Sequence, residues 1–337
     1  MVSETLGATR NFGFTLGRTA EGARSDYEAL EKRLAEQEKR LAQQSTAPVS
    51  DPVVSIPPII PQSPVTQPQN IPILSYDLSK ANPKHFLVLP ARTYGNYSYS
   101  DTAVCLYRLG KNSQVEQVGK ALSLPYEDTA KELTNDSKYI GNVNWEQGMK
   151  LVLGLNGTPL TTRQGLDFLA LLVSGQAKDL NGNLLGANEC QRVIREILGK
   201  ENPWRSEWLD ANFKYLNSKG KPVASNKKGT FYIEHSHKLQ NGVLTPTREV
   251  MLPHLEESKW LDLNSLLAGS NPQGIPTTSI KDGQGICFNK PLKDSNSVAG
   301  FYADSVRAYL ICGWNPTDSV TGLGVRYASQ IGRAGSP

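Results

Sequence analysis

Residues 298–315 decide how the C-terminal part of this chain folds: Val298-Ala299-Gly300-Phe301-Tyr302-Ala303-Asp304-Ser305-Val306-Arg307-Ala308-Tyr309-Leu310-Ile311-Cys312-Gly313-Trp314-Asn315. Side chains alternate between two faces along a strand. From Ala308 one set is Ala308, Leu310, Cys312 and Trp314, small or apolar throughout, as an inward face requires. The other set is Tyr309, Ile311, Gly313 and Asn315, which share no chemistry. Phe301 and Ala303 alternate with Gly300, Tyr302 and Asp304 in the same way. The outer face of a half-buried strand in a soluble domain normally carries polar residues. An aromatic, an aliphatic, a glycine and an amide in a row read as a face selected for something else. An ordinary mixed surface is the competing reading.

Outward from this segment, strands are expected at residues 285–289, 298–303, 308–314 and 324–328, separated by Gly and Pro punctuation. Upstream, residues 231–239 and 243–251 flank Gln240-Asn241-Gly242, and Asn-Gly between two extended runs is a hairpin signal. Helices are predicted at residues 162–174, 187–200 and 262–268. In the second, Cys190, Val193, Ile194, Ile197 and Leu198 trace one face, and Gly199 ends it. Asn181-Gly182-Asn183 marks a tight turn between the first two. Helices followed by short irregular strands give an α+β fold class. No repeat of 20 to 50 residues is present.

Two segments precede this part. Residues 1–46 read as a polar arm ending in a helix. Ser25 and Glu28 have capping-box spacing. Tyr27, Leu34 and Leu41 fall at one heptad position, and Leu30, Gln37 and Gln44 at the other. This predicts a short coiled coil and a homo-oligomer; a single solvated helix is the alternative. Residues 47–74 hold prolines at 48, 52, 57, 58, 61, 64, 68 and 72, which predicts an extended, semi-rigid linker. Residues 75–337 form the expected binding domain.

Composition narrows the function classes. The 337 residues carry a formal net charge of +4 with acidic and basic residues interleaved, so no nucleic acid is expected as partner. No apolar run approaches a membrane span, and the N-terminus lacks the apolar core of a signal peptide, so no membrane insertion is expected. Localisation stays open between the cytoplasm, a virion and a cell surface. The four cysteines (105, 190, 287 and 312) are too few and too scattered for a disulfide framework or a zinc knuckle, and read as buried apolar side chains.

Chemistry-bearing patterns are sparse. His235 and His237 alternate on a strand, but no third metal ligand is fixed by spacing, so no metal is expected. Hydrolase, protease and nucleotide-binding motifs are absent. Cys287 and Cys312 lack a nearby base, and Glu256-Glu257 reads as solvated. No enzyme and no cofactor are therefore expected. The segment 203–210 is aromatic-rich: Trp204 and Trp208 share a face if helical, as a core contact or as a carbohydrate or base platform.

At this point the sequence resembles a known group. Val298-Ala299-Gly300-Phe301, Arg307-Ala308, Cys312, Trp314, Pro316 and Leu323-Gly324-Val325-Arg326 resemble the ending of C-type-lectin-like domains of the formylglycine-generating-enzyme subtype. The particular match is to variable proteins of diversity-generating retroelements, and residues 203–210 and 166–174 are similar to that group as well. The resemblance spans roughly residues 86–328. It implies a lectin-like scaffold whose region 298–326 is rewritten at chosen codons. The framework would be Phe301, Ala303, Ser305, Arg307, Ala308, Leu310, Cys312, Trp314, Pro316 and residues 323–326. The diversified, ligand-binding positions would be Gly300, Tyr302, Asp304, Val306, Tyr309, Ile311, Gly313, Asn315, Val320 and Thr321, with Tyr302 and Tyr309 as anchors. The partner so implied is a protein or glycan on a target surface. The catalytic cysteines and metal ligands of the enzyme branch have no counterparts here, and Asn315-Pro316-Thr317-Asp318 only faintly echoes a lectin calcium site. A structural virion component, such as a tail-fibre or capsid-decorating protein without a selective ligand, is the alternative function.

Overall fold

Residues 298–314 lie in the middle of a large mixed sheet. The computed structural model describes Leu74, residues 81–124 and residues 127–331. The expected coiled coil and proline linker lie outside the described residues. The largest sheet holds β7 (Arg205–Leu216), β8 (Thr230–Gln240), β9 (Val243–Val250), β10 (Lys259–Leu261), β11 (Ile286–Asn289), β12 (Ser297–Ala303), β13 (Ala308–Trp314) and β14 (Leu323–Val325). Its order is β10-β11-β13-β12-β7-β8-β9, with β14 added in parallel to β7. The fold is α+β, with sheets dominating.

A second sheet joins the two ends of the described domain. β1 (Phe86–Leu89) and β4 (Thr102–Cys105) are antiparallel, and β15 (Ala328–Gln330) pairs with β4 on its other edge. Two small hairpins complete the β structure: β2 (Arg92–Tyr94) with β3 (Tyr97–Tyr99), and β5 (Asp128–Lys131) with β6 (Lys138–Ile140).

The helices are α1 (Ser113–Ala121), α2 (Trp145–Gly154), α3 (Thr162–Ser174), α4 (Ala187–Leu198) and α5 (Leu263–Gly269). Local chemistry starts them. Asn112 caps α1, Asp262 caps α5, and reciprocal capping boxes open α2 (Asn144 with Gln147) and α3 (Thr161 with Gln164). The C-terminus of α4 is closed by the Arg205 guanidinium, which donates to the carbonyls of Arg195, Glu196 and Gly199. A cation there meets the negative end of the helix dipole.

One face of the large sheet packs on α3 and α4. Phe288, Phe301, Leu310 and Cys312 meet Leu166, Leu169, Val193 and Ile197 in one core cluster. A second cluster lies around α1 and α2, where Val118, Met149 and Val152 gather with Trp208, Val298 and Val325. Between sheet and α4 runs a buried ionic cluster in which Arg108, Arg205 and Arg326 are set among Glu132, Glu196 and Glu207. Buried charges persist only when paired, and each of these arginines has a glutamate within ion-pair distance.

Several expectations change. Residues 203–210, whose two tryptophans would share a face on a helix, instead form β7 from Arg205, because β12, β14 and β8 claim its edges and both of its faces are buried. The expected strand at 324–328 divides into β14 and β15, which belong to different sheets. Helices α1 and α2 and strands β1 to β6 add to the elements expected from sequence. His235 and His237 do not sit on a regular strand. A bulge separates His235 from Lys238, and Ser236 takes φ 51°. His237 bonds to Asp210 and lies edge-on to Trp145, while His235 lies edge-on to Tyr97. Both are buried packing residues.

Candidate ligand-binding surface

The alternation along β13 translates directly into burial. Ala308, Leu310 and Cys312 are buried, whereas Tyr309 and Ile311 are half-buried. Cross-strand pairing puts Tyr302 opposite Tyr309 and Gly300 opposite Ile311. Directly paired residues share a face, so Tyr302, Tyr309 and Ile311 stand together on the side away from α3 and α4. Cys287 and Asn289 of β11 pair with Tyr309 and Ile311 and extend this face.

Trp314 departs from the expected pattern. Val298 pairs with Trp314 and Gly300 with Ile311, so the three steps from Ile311 to Trp314 run beside two steps of β12. The extra residue is a bulge, and it reverses the alternation beyond it. Trp314, expected inward with Cys312, therefore turns to the Tyr302 face. Its ring lies 4.8 Å from Trp208 and 6.0 Å from Tyr302.

The result is a connected aromatic cluster. Tyr302 sits at its centre, 5.5 Å from Tyr309, 6.0 Å from Trp204 and 6.0 Å from Trp314 between ring centroids. Trp208 is buried beneath, whereas Trp204, Tyr302, Tyr309 and Trp314 are half-exposed. Centroid spacings of this size are those of attractive aromatic pairs. The tyrosine hydroxyls are held: Tyr302 donates to Asp304 at 3.0 Å, and Arg307 donates to the Tyr309 oxygen at 3.0 Å. Burial pushes both phenols above their ordinary value; the neighbouring Asp304 adds to this at Tyr302, and Arg307 opposes it at Tyr309. Both rings are thus neutral, fixed platforms.

The other expected ligand-binding positions divide. Val306, Asn315, Val320 and Thr321 are exposed on the loops at the two ends of β13. Gly300 is a correction. It is buried, and a Cβ there would stand 2.9 Å from the Glu207 carbonyl oxygen and against the rings of Trp314 and Trp208. It is a point of close approach between β12 and β7. Gly313, at the bulge, is similar, with Lys290 O at 2.6 Å from such a Cβ. Asp304 organises the β12–β13 turn, accepting from the amides of Val306 and Arg307 at 2.7 Å each.

Trp204 links this face to a cleft of about 470 Å³ lined by Asp128, Thr129, Lys131, Lys138, Trp204 and Thr321, among others. Of the expected site residues, only Thr321 reaches it. The lysines of the β5–β6 hairpin carried no signal in the sequence, since no motif ties them to region 298–326.

Among the described residues, no three His, Cys, Asp or Glu side chains are grouped to hold a metal ion. No described helix is long and apolar enough to cross a membrane. The four cysteines are free, two buried and two half-buried. Comparison with protein families, curated proteins and solved structures finds no match to this chain.

Proposed function

We propose that this chain is a non-enzymatic ligand- or receptor-binding protein, a variable protein of the diversity-generating-retroelement kind built on a C-type-lectin-like scaffold. The observation that carries this reading is the half-exposed cluster of Trp204, Tyr302, Tyr309 and Trp314 on a sheet whose opposite face packs on α3 and α4. Large, rigid aromatic side chains supply contact area at little entropy cost. The two tyrosine hydroxyls are neutral and already hydrogen-bonded, so they suit binding better than proton transfer. The exposed positions Val306, Asn315, Val320 and Thr321 lie on loops that neighbour this cluster in sequence, where substitution leaves the core untouched. The pairing of β1, β4 and β15 is in keeping with a lectin-like domain, whose ends meet.

The partner in this reading is a protein or glycan on a target surface, and the N-terminal helix would multiply weak contacts through oligomerisation. The test is a paired measurement on the full chain. Replacing Tyr302 and Tyr309 by Ala should abolish capture of target cells or particles while leaving the folded state intact. A near-copy of the coding region for residues 298–326, differing at adenines and beside a reverse-transcriptase gene, is the second requirement. A complete genome with neither would sink the diversification reading.

A further inference from the structure

We propose that the cleft beside Trp204 is a binding site for a small acidic saccharide, in which Lys131 and Lys138 take the anionic group and Trp204 takes the ring. Lys131 and Lys138 are directly opposite each other in the β5–β6 hairpin. Directly opposed residues have Cβ atoms only ~4.5–5.5 Å apart, and like charges at that spacing repel. Both side chains are exposed, both line the cleft, and neither has a carboxylate within ion-pair distance among the described residues. Other exposed lysines of the domain, such as Lys219 and Lys221, likewise make no ion pair among the described residues; what sets Lys131 and Lys138 apart is that they are directly paired and line one cleft. A like-charged pair held together on one cleft is relieved by an anion bound between its ammonium groups.

The rest of the wall selects what carries the anion. The half-exposed indole of Trp204, beside Pro203, offers an apolar surface of the kind that covers the C–H face of a sugar ring. Thr129 Oγ1 donates to the Thr321 carbonyl and Asp128 Oδ1 accepts from the Lys111 amide, which leaves the remaining lone pairs of both and the Thr321 hydroxyl for vicinal hydroxyls. Asp128 also decides against the other acidic ligand, a run of Asp or Glu in a peptide. A second peptide carboxylate would face the Asp128 carboxylate, whereas a ring hydroxyl donates to it. The volume of about 470 Å³ lies within the ~300–1,000 Å³ of small-molecule sites and exceeds what one acidic side chain fills. The proposal goes beyond the aromatic-face reading: it shares Trp204 and Thr321 with that surface, but its charged pair lies on another hairpin and is tested separately.

The test is a ligand-observed NMR titration of the full chain at low salt with glucuronate, glucose and a tetraglutamate peptide. Glucuronate should bind with saturation. Glucose should bind at least about tenfold more weakly, and K131Q/K138Q should weaken glucuronate about tenfold, the loss expected for removing charge-assisted hydrogen bonds. The variant's melting temperature should hold or rise, because a repulsive pair has been removed. K131R/K138R should keep most of the affinity. Equal binding of glucose, no effect of K131Q/K138Q, absence of glucuronate binding, or tetraglutamate binding as tight as glucuronate would each overturn the proposal. None of these outcomes touches the Tyr302 and Tyr309 test.

Discussion

Arg326, just beyond β14, makes a two-point ion pair with Glu207 of β7, with Nε 3.3 Å from one carboxylate oxygen and Nη2 2.6 Å from the other. The same guanidinium donates to the carbonyls of Cys105 and Leu106, and stacks over Phe168 at 4.8 Å. One side chain thus ties the end of the domain to its central strand, to β4 and to α3. Because every group is buried, removing one partner strands the other.

Arg326→Met should therefore cost about 3–5 kcal/mol, and Glu207→Gln a comparable amount. The double replacement Glu207→Met with Arg326→Met should cost less than the sum of its parts, since no lone charge remains. Chemical denaturation of the three variants checks this, and additive losses would contradict the ion-pair account.

Gly300 belongs to the packed sheet rather than to the exposed loops. Gly300→Val places side-chain atoms against the Glu207 carbonyl and the rings of Trp208 and Trp314, and should destabilise by about 1–3 kcal/mol. Substitutions at Val306, Asn315, Val320 and Thr321 should stay within about 0.5 kcal/mol. Thermal melts of the five variants measure the contrast. Equal losses across the set would mean that the loops are as constrained as the sheet.

Tyr302 packs against three rings yet is only half-buried. Tyr302→Ala should cost about 1–2 kcal/mol, from lost aromatic pairing and partial burial. Tyr309→Ala should cost less, having one ring partner of its own in this cluster. A loss above about 4 kcal/mol at Tyr302 would mark it as core and count against a binding role.

Glu132 introduces a pH dependence. Burial pushes its carboxyl from the ordinary 4.5 up to about 7, against the opposing pull of Arg108 and with the neighbouring Glu196 adding to the rise. The folded state then holds this proton more tightly than the unfolded chain. The corresponding stability is fully present below about pH 4.5 and is lost as pH rises through about 7. The difference in denaturation midpoint between the native chain and Glu132→Gln, which mimics the protonated acid, should follow this profile between pH 4 and 8. An unchanged profile in that variant would assign the dependence to another group.

What the sequence determined by itself was set by local periodicity and local chemistry. The helices at 162–174 and 187–198 follow from repeated apolar spacing, the β8–β9 hairpin from Asn241-Gly242, and the inward set Ala308, Leu310 and Cys312 from strict alternation. Tyr302 and Tyr309 could be placed on one outer face for the same reason. Tertiary structure decided everything that depends on which strands become neighbours. The bulge that turns Trp314 outward arises from the pairing of β13 with β12, and no residue within β13 announces it. Trp204 meets Tyr302 only because β7 lies beside β12, and Lys131 meets Lys138 only because their hairpin closes in that register. Alternation has a period of two and says nothing about partners; register and bulges come from pairing across the chain, where a shift of one residue exchanges the two faces.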